Sequence, residues 1–165
     1  MDKPVVAVNS TPIILLQKIG RLNLLQKLYS EVYIPKAVYK EVIIDGIEKI
    51  SGQEDFLMIN NWINVVDIQN ENAKKMFATN LHAGEVETII LAMERTVDLC
   101  ILDDLLARKY AVKFNLNVTG TLGVLIAAKK QGYIKSVKPL LDMLVSVGIY
   151  VSEELYNNVA LLAGE

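Results

Sequence analysis

The feature that most constrains this chain is the way short apolar runs repeatedly give way to helix signals. Val5 to Val8 is a valine-rich run without polar alternation, the pattern of a strand buried on both faces. Ser10-Thr11-Pro12 follows at once: Thr11 can cap a helix, Pro12 suits its first turn, and Gly20 stops it. Leu22 to Leu28 reads as a second short helix, Val32 to Ile34 as a strand, and Pro35 opens a helix through about Ile43. A polar stretch around Asp45 to Asp55 reads as a flexible excursion before a strand within Trp62 to Ile68.

The alternation continues through a helix over 83–95, which carries Val86, Ile89, Ile90 and Met93 on one face. Leu99 to Leu102 is a strand ending in Asp103-Asp104, which lead into a helix through Lys113. Leu116 to Val118 is a strand, and Thr119-Gly120-Thr121 turns into a helix over 122–131. A helix over 137–147, a short strand over 149–151 and a last helix capped by Ser152 complete the expectation. Short, unalternating strands interleaved with helices imply a mainly parallel sheet covered on both faces, a three-layer α/β/α sandwich. The length of 165 residues suits one domain, and the 9 Gly and 4 Pro leave no long linker.

Composition removes several kinds of chemistry. The chain has one cysteine, Cys100, within an apolar run, so it forms no internal disulfide and reads as a buried core thiol. His82 is the sole histidine, which leaves a zinc site of the usual ligand types unsupported. A Ser-His-Asp or Cys-His mechanism would hang on that one residue. No GxGxxG follows the first strand and no GxxxxGK[ST] occurs, so dinucleotide-binding and P-loop readings lose their main support. The beginning of the chain lacks a basic segment leading into a clean apolar core, and no window reaches the roughly 20 apolar residues of a membrane span. The expected setting is cytoplasmic. A net charge of −2 gives no global signature for nucleic acid.

In parallel sheets, ligands bind outside the carboxyl ends of the strands. Asn9 ends the first strand and Asp103-Asp104 end the strand near residue 100, so all three fall on that rim. One aspartate suffices as a helix cap, and the second calls for another role. Glu41 lies about 60° from Val38, at the edge of its helix's core stripe, and reads either as a boundary carboxylate or as a surface one beside Lys40. Glu85 and Glu87 both suit the first turn of a helix. Glu85 shares a stripe with Ile89 and Ala92 and points nearer the core. Carboxylates gathered without histidine or cysteine form an oxygen-ligand site suited to Mg²⁺ or Mn²⁺, and phosphodiester hydrolysis is the chemistry that uses one. The Thr119-Gly120-Thr121 turn reads as an ordinary βα turn or as a phosphate cradle.

These residues also form an ordered set. It consists of Val5-Val6-Ala7-Val8-Asn9-Ser10-Thr11-Pro12, Ile34 to Val42, Gly84-Glu85-Val86-Glu87-Thr88-Ile89, Leu102-Asp103-Asp104 with Ala107-Arg108, and Gly120-Thr121-Leu122-Gly123-Val124-Leu125. The set resembles a PIN-domain-like family of bacterial and archaeal proteins, akin to the toxins of toxin–antitoxin pairs. The resemblance implies a Mg²⁺- or Mn²⁺-dependent ribonuclease acting on RNA, with a small antitoxin protein as a further partner. A second copy of the chain is a separate expectation, resting on an exposed apolar patch that no residue in the sequence identifies. By position, the family's acids fall on Asn9, Glu41, Glu85 and Asp103, with Asp104 beside the last. An asparagine in the first of these places brings no charge. That departure opens the alternative of a module that binds RNA or a protein without cutting. Lys36, Lys40, Arg108 and Lys109 are the cations that could meet RNA.

Overall fold

The computed structural model describes residues 2–47 and 53–165. Strand β1 (Val5–Val8) pairs in parallel on one side with β2 (Glu31–Pro35) and on the other with β4 (Leu99–Ile101). β3 (Ile63–Val66) flanks β2 and β5 (Val118–Thr119) flanks β4, giving the order β3-β2-β1-β4-β5 with every pairing parallel. Val6, Ala7 and Val8 are wholly buried, as the unalternating valine run requires.

Alternate strand residues feed two separate cores, one on each face of the sheet. Val6, Val8 and Ile101 pack with α1 (Ser10–Lys18), α2 (Asn23–Leu28), α7 (Thr121–Lys130), α8 (Lys138–Ser146) and α9 (Glu153–Leu162). Ala7 and Cys100 pack on the other face with α5 (Ala83–Arg95) and α6 (Leu105–Lys113). The molecule is therefore the α/β/α sandwich that the alternation implied. Cys100 is a free core thiol whose pKa burial pushes up to about 12, so it stays protonated and inert.

Several local expectations change. Asn9, not Thr11, occupies the cap position of α1, and Thr11 lies within the helix. Residues 149–151 form no strand: the Ile149 N–H instead bonds to the Leu144 carbonyl beyond the end of α8, and Tyr150 is 88% exposed. The last strand is shifted, with Val118 and Thr119 in register with Cys100 and Ile101. The helix opened by Pro35 is α3 (Lys36–Glu41), continued by a π-helical turn over Val42–Ile47. The expected excursion over 45–55 lies partly outside the described residues; its far side belongs to α4 (Gln53–Ile59). A 3₁₀ helix over Glu71–Met76 has no counterpart in the sequence reading.

Helix α8 shows how a distant side chain completes an element. Its cap position is Val137, which has no side chain able to accept the free N–H groups. The Glu165 carboxylate takes that role, accepting from the Ser136 hydroxyl, the Val137 N–H (2.6 Å) and the Lys138 N–H (3.2 Å). It also pairs with Lys129 at 3.1 Å. The Ser136 and Val137 donors hold its pKa down at about 2. A depressed carboxylate pKa contributes stability above the unfolded value, and that contribution is lost as pH falls through the folded one. Glu165→Gln should therefore lower Tm at pH 7, and the gap from the native chain should close between about pH 4.5 and pH 2 in thermal melts.

Candidate functional site

The carboxyl ends of β1 and β4 lie side by side, and the Asn9 N–H continues their ladder by bonding to the Ile101 carbonyl at 3.0 Å. Asn9 is 2% exposed, and its Oδ1 is buried without any hydrogen-bond partner. Its backbone has cap geometry, yet its side chain makes no cap bond. A buried amide oxygen without a donor costs about 1–3 kcal/mol, so this one invites a ligand.

Glu41, the last residue of α3, is turned inward and joins three helices. Its Oε2 accepts from the Ser10 hydroxyl of α1 at 2.6 Å, and its Oε1 from the Gly84 N–H of α5 at 2.7 Å. A Cβ on Gly84 would collide with both carboxylate oxygens, so the glycine makes room for them. The solvated surface reading of Glu41 is set aside.

Glu85 is 7% exposed and accepts from the N–H of His82, the residue preceding α5, at 3.0 Å. Burial raises its pKa; the His82 N–H opposes this, and the negative charges of Asp104 and Glu41 add to the rise. Glu87 faces elsewhere, accepting from the Ala37 N–H at 3.3 Å and pairing with Lys74 at 3.2 Å. The stripe argument that favoured Glu85 over Glu87 thus matches their burial and partners.

The aspartate pair divides its duties. Asp104 caps α6, its Oδ2 accepting from the Ala107 N–H at 2.8 Å. Asp103 instead clamps the end of β4 to the start of α7, its two oxygens accepting from the Thr121 N–H (2.7 Å) and hydroxyl (2.6 Å). A Cβ on Gly120 would stand 2.6 Å from Asp103 Oδ1. This clamp occupies the Thr121 N–H that the phosphate-cradle reading of the turn needed.

Asn9, Ser10, Glu41, His82 and Glu85 line one cleft of about 430 Å³. Asp103 and Asp104 stand at the adjacent strand end, with Asp104 near enough for Glu85 to feel its charge. Among the described residues, no three His, Cys, Asp or Glu side chains are drawn together closely enough to grip one ion. The carboxylates of Glu41 and Glu85 and the orphaned Asn9 Oδ1 nevertheless suit a hard cation, with His82 the one nitrogen side chain in the lining. Mg²⁺ keeps several waters and needs only one or two carboxylates, so wide spacing is compatible with a hydrated ion. Sequence reasoning gave no catalytic place to Ser10 or Thr121, whose partners lie 31 and 18 residues away, beyond any local periodicity. Lys36 and Lys74 are held by Asp67 and by Glu71 and Glu87 in a neighbouring groove of about 760 Å³. The Asp103 clamp is testable on its own: Thr121→Val keeps the N–H bond and should lower stability by about 1–3 kcal/mol in urea titrations.

The comparisons with known proteins agree with this fold. A family model described as DUF3368, PIN domain, matches residues 5–165. A PilT N-terminus domain protein, SSO1118, from the hyperthermophilic archaeon Sulfolobus solfataricus P2 superposes with a TM-score of 0.51 at 18% identity. That superposition covers 90% of this chain and 98% of the archaeal one, and shows a shared fold. No curated protein matches the chain. With its parallel sheet, its acid-lined strand ends and a family match over nearly its whole length, the chain belongs to the PIN-domain family DUF3368.

Proposed function

We propose that this chain, as a single PIN domain over residues 1–165, is a divalent-metal-dependent ribonuclease whose centre is the cleft beside Asn9. The observation that carries the reading is the buried, unpartnered Asn9 Oδ1 in a cleft walled by Glu41 and Glu85. Glu41, Glu85 and Asp103 would hold Mg²⁺ or Mn²⁺, Asn9 would add a neutral oxygen or orient a water, and Asp104 would stand in reserve while capping α6. A bound ion of this kind supplies polarisation of a phosphate oxygen and a hydroxide nucleophile near neutral pH. The chain's own part is orientation. Ser10 and the Gly84 N–H fix Glu41, and Thr121 fixes Asp103, so neither carboxylate has to be ordered when substrate arrives. Cytoplasmic residence, restraint by a small antitoxin protein and pairing with a second copy belong to the same proposal.

A second reading, a PIN module that binds RNA or protein without cutting, draws on Asn9 itself. Replacing a carboxylate by an amide removes a charge whose attraction to a unit charge about 4 Å away is roughly 4 kcal/mol at an effective dielectric of 20. Calorimetry separates the two, since saturable Mn²⁺ binding below millimolar concentration counts against the non-cutting module.

In an RNA cleavage assay with Mg²⁺ or Mn²⁺, Glu41→Gln and Asp103→Asn should each reduce the rate at least roughly tenfold. Cleavage unchanged in both variants would sink the assignment. Gly84→Ala tests the seat of Glu41 itself. A Cβ there displaces the carboxylate and breaks its bonds to the Ser10 hydroxyl and the residue-84 N–H, worth about 1.5–3 kcal/mol each. Better helix propensity returns only about 1 kcal/mol, so urea stability should fall by roughly 2–5 kcal/mol, and Mn²⁺ affinity and cleavage should fall with it.

A further inference from the structure

At the opposite end of the sheet, before β1 begins, lies a concavity of about 550 Å³ that the acidic cleft does not share. Lys3, Lys27 and Lys130 line it, with Asp2 as the one carboxylate, in a chain whose acids outnumber its lysines and arginines by 19 to 17. None of the three lysines is in an ion pair among the described residues, unlike Lys36 and Lys74 in the groove beside Glu41. Lys27 and Lys130 stand in the last turns of α2 and α7, where the helix dipole alone accounts for cations. Lys3 has no such explanation, and neither does the convergence of all three on one hollow.

Two aromatic residues complete it. Tyr133 is 37% exposed, and the ammonium groups of Lys3 and Lys27 lie 5.9 and 6.0 Å from its ring centroid, within about 12 Å of one another. Tyr29 lines the same hollow at 7% exposure, and its hydroxyl has no hydrogen-bond partner among the described residues. Burial pushes the Tyr29 pKa up to about 12, so near neutrality it is a proton donor and never a competing anion. Unpaired cations, an unspent donor and an accessible ring are the parts that hold a nucleotide strand, with charge for the phosphates and a flat face for a base.

We infer that the hollow bounded by Lys3, Lys27, Lys130, Tyr29 and Tyr133 is a binding site for the phosphates of single-stranded nucleic acid, distinct from the acidic cleft. The inference does not rest on the ribonuclease reading and survives its failure.

The test uses the full chain and a fluorescein-labelled ten-residue oligouridylate, read by anisotropy in EDTA so that cation-dependent binding and cleavage are absent. Three lysines neutralising three phosphates predict a slope of log K against log salt of about −2, and Lys27→Gln/Lys130→Gln should bring it to about −0.7. The double variant should bind at least tenfold more weakly, and Tyr133→Ala roughly tenfold more weakly through lost stacking. Lys113→Gln, at an exposed lysine of α6 outside the hollow, should bind as the parent does. Melts by circular dichroism confirm that each variant is folded, and Lys3→Gln replaces the double variant if it is not. Three results would overturn the inference: no saturable binding by the parent, equal binding by the lysine variants, or a loss in Lys113→Gln as large as theirs. Displacement of the oligonucleotide by equimolar inorganic phosphate would assign the hollow to the free ion and overturn the strand reading.

Discussion

Everything else in this molecule hangs on the parallel pairing of β1 with strands on both of its edges. The chain goes from β1 outward to β2 and β3, then returns across the sheet to β4 and β5. The reversal leaves a crevice between the carboxyl ends of β1 and β4, where the following helices depart to opposite faces. Asn9 leaves β1 on one side of that crevice and Asp103 leaves β4 on the other. Positions 94 residues apart in the chain become neighbours through topology alone.

Gathering carboxylates at such a crevice is unfavourable without compensation, and the structure supplies it from helix starts. Glu41 accepts from a backbone N–H in the first turn of α5, Asp103 from the first residue of α7, and Asp104 from the first turn of α6. Hydrogen bonds to a charged group contribute about 1.5–3 kcal/mol each, comparable with the repulsion they offset. Glu85 is the most deeply buried of these acids, and that burial, with the charges of Asp104 and Glu41 added to it, raises its pKa. Gly84 and Gly120 take part by lacking a side chain, since a methyl group at either place would occupy the seat of a carboxylate oxygen.

Much of this was legible in the chain itself. Apolar runs without alternation announced buried parallel strands, and the strand ends picked out Asn9 and Asp103. The helical stripe separated Glu85 from Glu87. What stayed hidden was contact between distant segments. Ile149 and Tyr150 look strand-forming, but the turn after α8 claims the Ile149 N–H and Tyr150 stands exposed. Thr11 is as good a cap as Asn9 by composition, and only the ladder bond to Ile101 fixes where β1 stops. Ser10 and Thr121 are unremarkable letters until the fold brings Glu41 and Asp103 to their hydroxyls.

An all-parallel sheet has one electrical consequence of its own. The helices that follow β1, β3, β4 and β5 all start at the same rim, so their peptide dipoles add where an antiparallel arrangement would cancel them. The backbone is positive where the acidic side chains gather and negative where Lys27 and Lys130 stand. Side chains and backbone thus carry opposite sign at both ends, each helix terminus holding its counter-charge within its first or last turn.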